Sequence, residues 1–262
     1  QSRGLSKSYT VGKDNDVSVL KGVDLDIHEG EFVSVMGPSG SGKSTLLYNI
    51  CGMDRMSGGS VLFRGRELSG LSEKELAVLR LNEMGFIFQQ IHLLRNLTVF
   101  DNIILSGYLA GGRSRKAVDS RARELMEVAG IAPLAQNAIT QASGGQLQRV
   151  GICRALINEP NILFADEPTG ALDSKSAAEI MELLQRINDA GTTIMLVTHD
   201  IRVASKSERV LFMMDGRITA EKKLGKPGRH TASGNLAAGG SNGTGARARE
   251  EELTGWLIEQ GL

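Results

Sequence analysis

The feature that most constrains this chain is the run Gly37-Pro38-Ser39-Gly40-Ser41-Gly42-Lys43-Ser44. It fits G-x-x-x-x-G-K-[ST] and lies between an apolar strand, Phe32 to Met36, and a predicted helix, Lys43 to Cys51, which is the setting that pattern requires. Glycines there let backbone N–H groups close around phosphate oxygens, and the helix N-terminus adds a partial positive charge. Lys43 is placed to neutralise the outer phosphates and Ser44 to ligate Mg²⁺, with Thr45 next in the same turn. A nucleotide is the expected ligand.

The rest of the chain predicts the sheet that such a loop needs. Val19, Leu20, Val23, Leu25 and Ile27 alternate with polar residues, and Ser60 to Phe63 follows as another short strand. From Ile162 onward strand and helix alternate: Ile162 to Ala165, a helix from Ser174 to Ala190, then Thr192 to Thr198. Arg209 to Met214 and Arg217 to Ala220 form a hairpin through Asp215-Gly216. This order implies a largely parallel sheet covered by helices.

Helical spacing dominates from about Glu73 to Asn158, with Val118, Ala122, Leu125, Met126 and Ala129 in one stripe and a helix start at Thr98 to Asp101. Residues 90–158 are read as a helical subdomain inserted into the 1–224 core. Gly225 to Gly245 holds seven glycines without a period, and 225–246 reads as a flexible linker. In 247–262, Leu253, Trp256 and Leu257 share a helical face, either as a docking helix or as a frayed tail weakened by Gly255. The glycine surplus, 32 of 262 residues against a usual share of roughly 7%, divides between this linker and the phosphate loops.

Composition excludes several classes. Thirty basic and 30 acidic residues give zero formal charge, which argues against nucleic acid held by bulk charge. Cys51 and Cys153 have no CxxC partner or His-rich cluster and read as reduced packing residues. No apolar run approaches the ~18 residues of a membrane span, and no apolar signal segment opens the chain. The first strand begins late and the chain opens without methionine, which leaves open whether the natural N-terminus is included.

The apolar strand Ile162 to Ala165 ends in Asp166-Glu167. Adjacent carboxylates at a strand end are costly to hold together unless a cation or a proton transfer uses them. Asp166 suits a Mg²⁺ shell and Glu167 a general base for an attacking water. Upstream, Ala142-Ser143-Gly144-Gly145-Gln146 precedes a helical stretch, Leu147 to Asn158, and forms a second anion site at a helix N-terminus. A chain binding one nucleotide has little need of two.

With these motifs in that order, residues 4–220 resemble the nucleotide-binding subunit of an ABC transporter. The resemblance implies an α/β P-loop NTPase of ABC type, with a mixed sheet core, an antiparallel β subdomain and the inserted helical subdomain. It implies that Ser143, Gly144, Gly145 and Gln146 complete the ATP site of an opposite subunit, so that two chains sandwich two Mg²⁺-ATP head to tail. Tyr9 matches the aromatic that stacks on adenine. Gln89, with a one-residue ambiguity at Gln90, matches the glutamine that touches Mg²⁺ and the attacking water. Asp173 in Ala171-Leu172-Asp173 matches the interface loop, and would otherwise be a helix cap. His199 matches the histidine that contacts the γ-phosphate, whereas His28, His92 and His230 match nothing.

The implied partners are a second copy and an integral membrane permease, with the subunit held peripherally at the cytoplasmic face of the membrane. The motif wording is similar to the branch of lipoprotein-release and macrolide or antimicrobial-peptide export ATPases, whose permeases have few spans and a large extracytoplasmic domain. A division ATPase that signals without transport is similar in wording. An ABC ATPase acting on DNA or ribosomes fits poorly, given the short insertion, the single motif set and the neutral charge. No N-K-x-D guanine-reading motif occurs. Two departures stand out: Ala142 where the family usually has leucine, and Arg95 where close relatives usually have proline.

Overall fold

The computed structural model describes residues 1–10, 12, 16–227 and 242–261. Its centre is a six-stranded mixed sheet of order β10-β9-β3-β8-β7-β6. The strands are β3 (Phe32–Met36), β6 (Met84–Phe88), β7 (Ile162–Asp166), β8 (Thr193–Val197), β9 (Arg209–Met214) and β10 (Arg217–Lys223). All neighbours are parallel except the hairpin β9–β10. That hairpin turns at Asp215 and Gly216, both at positive φ, 47° and 80°, as its tight two-residue turn demands.

The central strands are buried on both faces, which explains their continuous apolar spelling. Period-two alternation sends Phe32, Leu163, Ala165, Ile194 and Leu196 to one core and Val33, Val35, Phe164, Met195 and Val197 to the other. The first core is closed by α3 (Val99–Ala110), α4 (Arg115–Val128), α5 (Gly144–Leu156) and α6 (Ser174–Asp189). The second is closed by α1 (Lys43–Ile50), α2 (Glu73–Glu83) and a four-stranded antiparallel sheet of order β2-β1-β4-β5. Its strands are β1 (Ser2–Thr10), β2 (Asp16–Leu25), β4 (Gly58–Phe63) and β5 (Arg66–Glu67).

Of the boundaries that differ from expectation, two matter most. Helix α5 begins at Gly144, not Leu147, because Ser143 is its N-cap in a full capping box with Gln146. Helix α8 spans Asn242–Glu259, so it starts inside the segment expected to be linker. Residues 228–241 of that segment, with His230, lie outside the described residues. Leu253 and Leu257 of α8 are buried against Met36, Ala204, Val210 and Phe212. Both cysteines are free and buried, and burial pushes their thiols up to about 12. Among the described residues no helix is long and apolar enough to cross a membrane.

Candidate functional site

Four neighbouring parallel strands, β3, β8, β7 and β6, end on the same edge of the sheet. Ligands of open α/β sheets bind outside such carboxyl ends. Here β3 runs into Gly37–Ser44, β7 into Asp166 and Glu167, β8 into Thr198 and His199, and β6 into Gln89. Strand order alone thus gathers residues far apart in sequence.

Two glycines of the first loop are required by geometry. Gly37 sits at φ 150°, where a Cβ would collide with the Met213 carbonyl of β9. Gly42, at φ 101°, would bring a Cβ to 3.1 Å from the Val19 carbonyl. Gly42 is also the N-cap of α1 and supplies no side-chain cap, and no acidic residue occupies the first turn. The free N–H groups of that turn and the helix dipole therefore face the loop, an arrangement made for an anion. Pro38, Ser39 and Gly40 form the exposed rim, whereas Ser41 is buried with no partner for its hydroxyl. Lys43 Nζ donates to the carbonyls of Gly37 and Pro38, at 2.9 and 2.8 Å. Burial holds its pKa below the usual lysine value, against the opposing pull of Glu167 and Asp166.

The acidic pair is held in two ways. Ser44 Oγ donates to Asp166 Oδ1 at 2.9 Å and Tyr48 Oη to Oδ2 at 2.7 Å, so both carboxylate oxygens are engaged. Glu167 turns into the left-handed region, φ 48°, while its N–H still pairs with Val197. This backbone is unfavourable for a glutamate and aims the side chain off the sheet edge. There Glu167 Oε1 lies 2.8 Å from Nδ1 of His199, whose ring is largely exposed. The Gln89 amide rests on Gly170, in the turn closed by the Gly170 N–H on the Glu167 carbonyl. Gln90 instead lines a separate surface cavity with Ile91, Arg95 and Leu147.

Tyr9 belongs to the antiparallel sheet. Its hydroxyl donates to Asp54 Oδ2 at 2.5 Å, Lys7 Nζ to Oδ1 at 2.6 Å, and Lys7 stands 4.6 Å from the ring centroid. Thr45 of α1 lies beside the phenol, and Tyr9 as a whole is 40% exposed.

The second glycine motif lies elsewhere. Ser143 Oγ accepts from the Gln146 N–H at 3.3 Å, and Gln146 Oε1 accepts from the Ser143 N–H at 2.8 Å. Ser143 and Gly144 are exposed, and Gly145 packs on Ser176. Asp173 caps α6, accepting from Lys175 N, Ser176 N and Ser176 Oγ. Among the described residues no hydrogen bond joins Ser143–Gln146 to Lys43, Ser44, Glu167 or His199.

Several supporting residues escaped the sequence reading. Tyr48 was legible as the residue one turn after Ser44 on α1. Asp54, Asn102 and Arg154 carried no local signal. Asn102, buried, holds the carbonyls of Leu94 and Thr98 and the Leu94 N–H, fixing the loop that carries Arg95. Arg154 donates to the carbonyls of Ile91 and His92 in the same loop, and the His92 ring packs edge-on against Phe88. Nothing in the structure explains Ala142.

Comparison with known proteins identifies the family. The family described as ABC transporter matches residues 20–170. The macrolide export ATP-binding/permease protein MacB 1/2 of Paracoccus denitrificans is 47% identical over 226 residues, 86% of this chain and 33% of the relative. The chain thus spans about a third of the MacB proteins it matches. The bacitracin export ATP-binding protein BceA of Halalkalibacterium halodurans is 44% identical, over 88% of this chain and 91% of its own length. The lipoprotein-releasing system ATP-binding protein LolD 1 of Rhodopseudomonas palustris is 43% identical, over 82% and 96%. The dimeric ATP-binding cassette MJ0796, solved in a post-hydrolysis state with ADP and Pi, superposes with a TM-score of 0.79 at 42% identity, covering 85% of this chain and 97% of that one. The chain belongs to the ABC transporter family, as its ATP-binding ATPase domain.

Proposed function

We propose that this chain binds Mg²⁺-ATP at Gly37–Thr45, hydrolyses it in a site shared between two copies, and drives a separate membrane permease with the resulting closure and opening. The observation that carries this reading is the convergence of Lys43, Ser44, Asp166, Glu167, His199 and Gln89 at one sheet edge, with Glu167 paired to His199.

The residues present fit the ligands. The uncapped first turn of α1 and the unpartnered Ser41 hydroxyl suit phosphate oxygens. Ser44, Asp166 and the Gln89 amide are hard oxygen donors suited to Mg²⁺, and no cluster of three or more His, Cys, Asp and Glu competes for it among the described residues. When bound, Mg²⁺ offsets the negative charge that develops on the phosphate oxygens. Lys43 exchanges its two carbonyl partners for phosphate oxygens, and the partly exposed Tyr9 stacks on adenine. Glu167 orients the attacking water and accepts its proton. His199 holds the outer phosphate, the alternative to its present bond with Glu167. Such transfer depends on positioning and fixed charge more than on covalent chemistry.

Ser143, Gly144, Gly145 and Gln146 serve the nucleotide of the partner copy, with Asp173 on the interface between them. The helical subdomain, 90–158, passes closure to the permease through the loop pinned by Asn102 and Arg154. By analogy with MacB, BceA and LolD, the work is export or handling of a macrolide, antimicrobial peptide or lipoprotein. The permease is of the few-span type with an extracytoplasmic domain, and the chain sits peripherally on its cytoplasmic side.

Glu167→Gln is the direct test. It retains ATP, accumulates as a dimer on gel filtration, and loses turnover by about a hundredfold or more. Wild-type phosphate release from that variant would remove Glu167 from its role.

A further inference from the structure

Outside the site, Arg249 of α8 makes an extended set of main-chain contacts. Its Nε donates to the Ser205 carbonyl at 2.8 Å, Nη1 to Leu224 at 2.7 Å, and Nη2 to Ser207 at 2.7 Å and Gly225 at 3.1 Å. One planar guanidinium thus satisfies four main-chain carbonyls from two separate stretches of chain.

The first of those stretches begins at the site. His199 is followed by Asp200, which caps the single turn α7 (Ile201–Ala204) by accepting from the Arg202 N–H at 2.8 Å. Ser205 N–H closes on the Ile201 carbonyl, and the buried Ser207 hydroxyl donates to the Ala204 carbonyl. So short a helix has little stability of its own. It is held from outside instead: Ala204 is fully buried against Leu253 and Leu257, Ile201 packs on the same cluster, and Trp256 meets Phe212 edge-on at 6.3 Å. The same cluster includes Met36, the residue before Gly37. Lys222 and Glu252 add an ion pair at 2.8 Å.

We infer that Arg249 is a positioning residue for hydrolysis: with the apolar face of α8 it locks α7 and Ser205–Ser207, and so fixes the backbone that presents His199 at the edge where the loop Gly37–Ser44 begins. This rests on the proposed role of His199. Arg249 touches neither nucleotide nor reacting atoms. Its loss therefore alters turnover more than ATP affinity.

The test uses the full chain. Arg249→Ala lowers kcat about tenfold with KM for ATP within about twofold, and Arg249→Lys, which keeps three donors, recovers part of the loss. Deuterium uptake at the amides of 200–207 accelerates in Arg249→Ala at a temperature where the rest of the chain stays protected. In a His199→Ala background the further change Arg249→Ala costs nothing more in kcat, because both act through one group. A merely structural arginine would give additive losses. Unchanged deuterium uptake at 200–207 overturns the inference and leaves the site reading intact. Wild-type turnover in His199→Ala overturns the role of His199, and a loss from Arg249→Ala that persists in that background overturns the route through it. Where Arg249→Ala does not fold, Arg249→Lys and Leu253→Ala carry the same comparison.

Discussion

Helices α1 and α5 both have a glycine at their N-terminal end, Gly42 as the N-cap of α1 and Gly144 as the first residue of α5, and their N-termini are built in opposite ways. The start of α1 is locked in the core: Gly42 is left-handed and crowded by Val19 and Met213, its first-turn N–H groups have no side-chain cap, and Lys43 closes the loop. The start of α5 is exposed and self-sufficient, with Ser143 and Gln146 satisfying each other. One is a preformed cradle that leaves donors unmet inside a single chain. The other is a stable helix end exposed to solvent, because its capping box satisfies the N–H groups of Ser143 and Gln146. The difference lies in whether the chain itself satisfies the N–H groups of the helix start.

Breaking the cradle has the largest effect. Lys43→Ala lowers turnover by about a hundredfold or more, measured by phosphate release. Replacing Ser143 by a bulky residue such as arginine is as damaging to turnover, yet that variant still binds ATP in its own cradle. Mixing the two inactive chains sharpens the contrast, since a head-to-tail mixed dimer contains one intact site and regains activity. Persistent inactivity of the mixture, with mixed dimers demonstrated, counts against a shared site.

Glycine substitutions separate the two helix starts by stability. Gly42→Ala is destabilised by about 1–3 kcal/mol in urea unfolding, through a strained φ and the crowded Val19 carbonyl. Gly144→Ala, where a Cβ meets only Leu172 at an ordinary 3.5 Å, leaves the fold as stable or gains about 0.5–1 kcal/mol from helix propensity, while losing turnover in the dimer.

The smallest effect concerns Asp173. Hydrogen bonds from Ser176, then from Lys175, hold its carboxyl below the usual carboxylate range. A depressed folded pKa stabilises above the unfolded value, ~3.9, and that contribution disappears as pH falls through the lower folded value. Asp173→Asn therefore melts earlier than wild type at neutral pH, and the gap closes at the acid end of a thermal-melt series.

Much of this was legible in the chain. The buried strands β3, β7 and β8 announce themselves as predominantly apolar runs because both faces are covered. The motifs Gly37–Ser44, Asp166-Glu167 and Ser143–Gln146 were readable because their chemistry depends on local backbone and neighbouring residues. The choice between Gln89 and Gln90 was not, since it depends on which amide meets Gly170 across the sheet edge. Nor was the docking of α8, where the signal lies in Arg249 reaching carbonyls that carry no sequence signature.

By itself the sequence determined the phosphate loop, the alternation of elements and the identity of the acidic pair, all set by spacing within a few residues. Only the tertiary structure decided that Tyr48 and Ser44 share Asp166, that Glu167 bends toward His199, and that the second glycine motif stands apart from the first. These outcomes follow from strand order and burial, which bring distant residues to one edge and which no local pattern encodes.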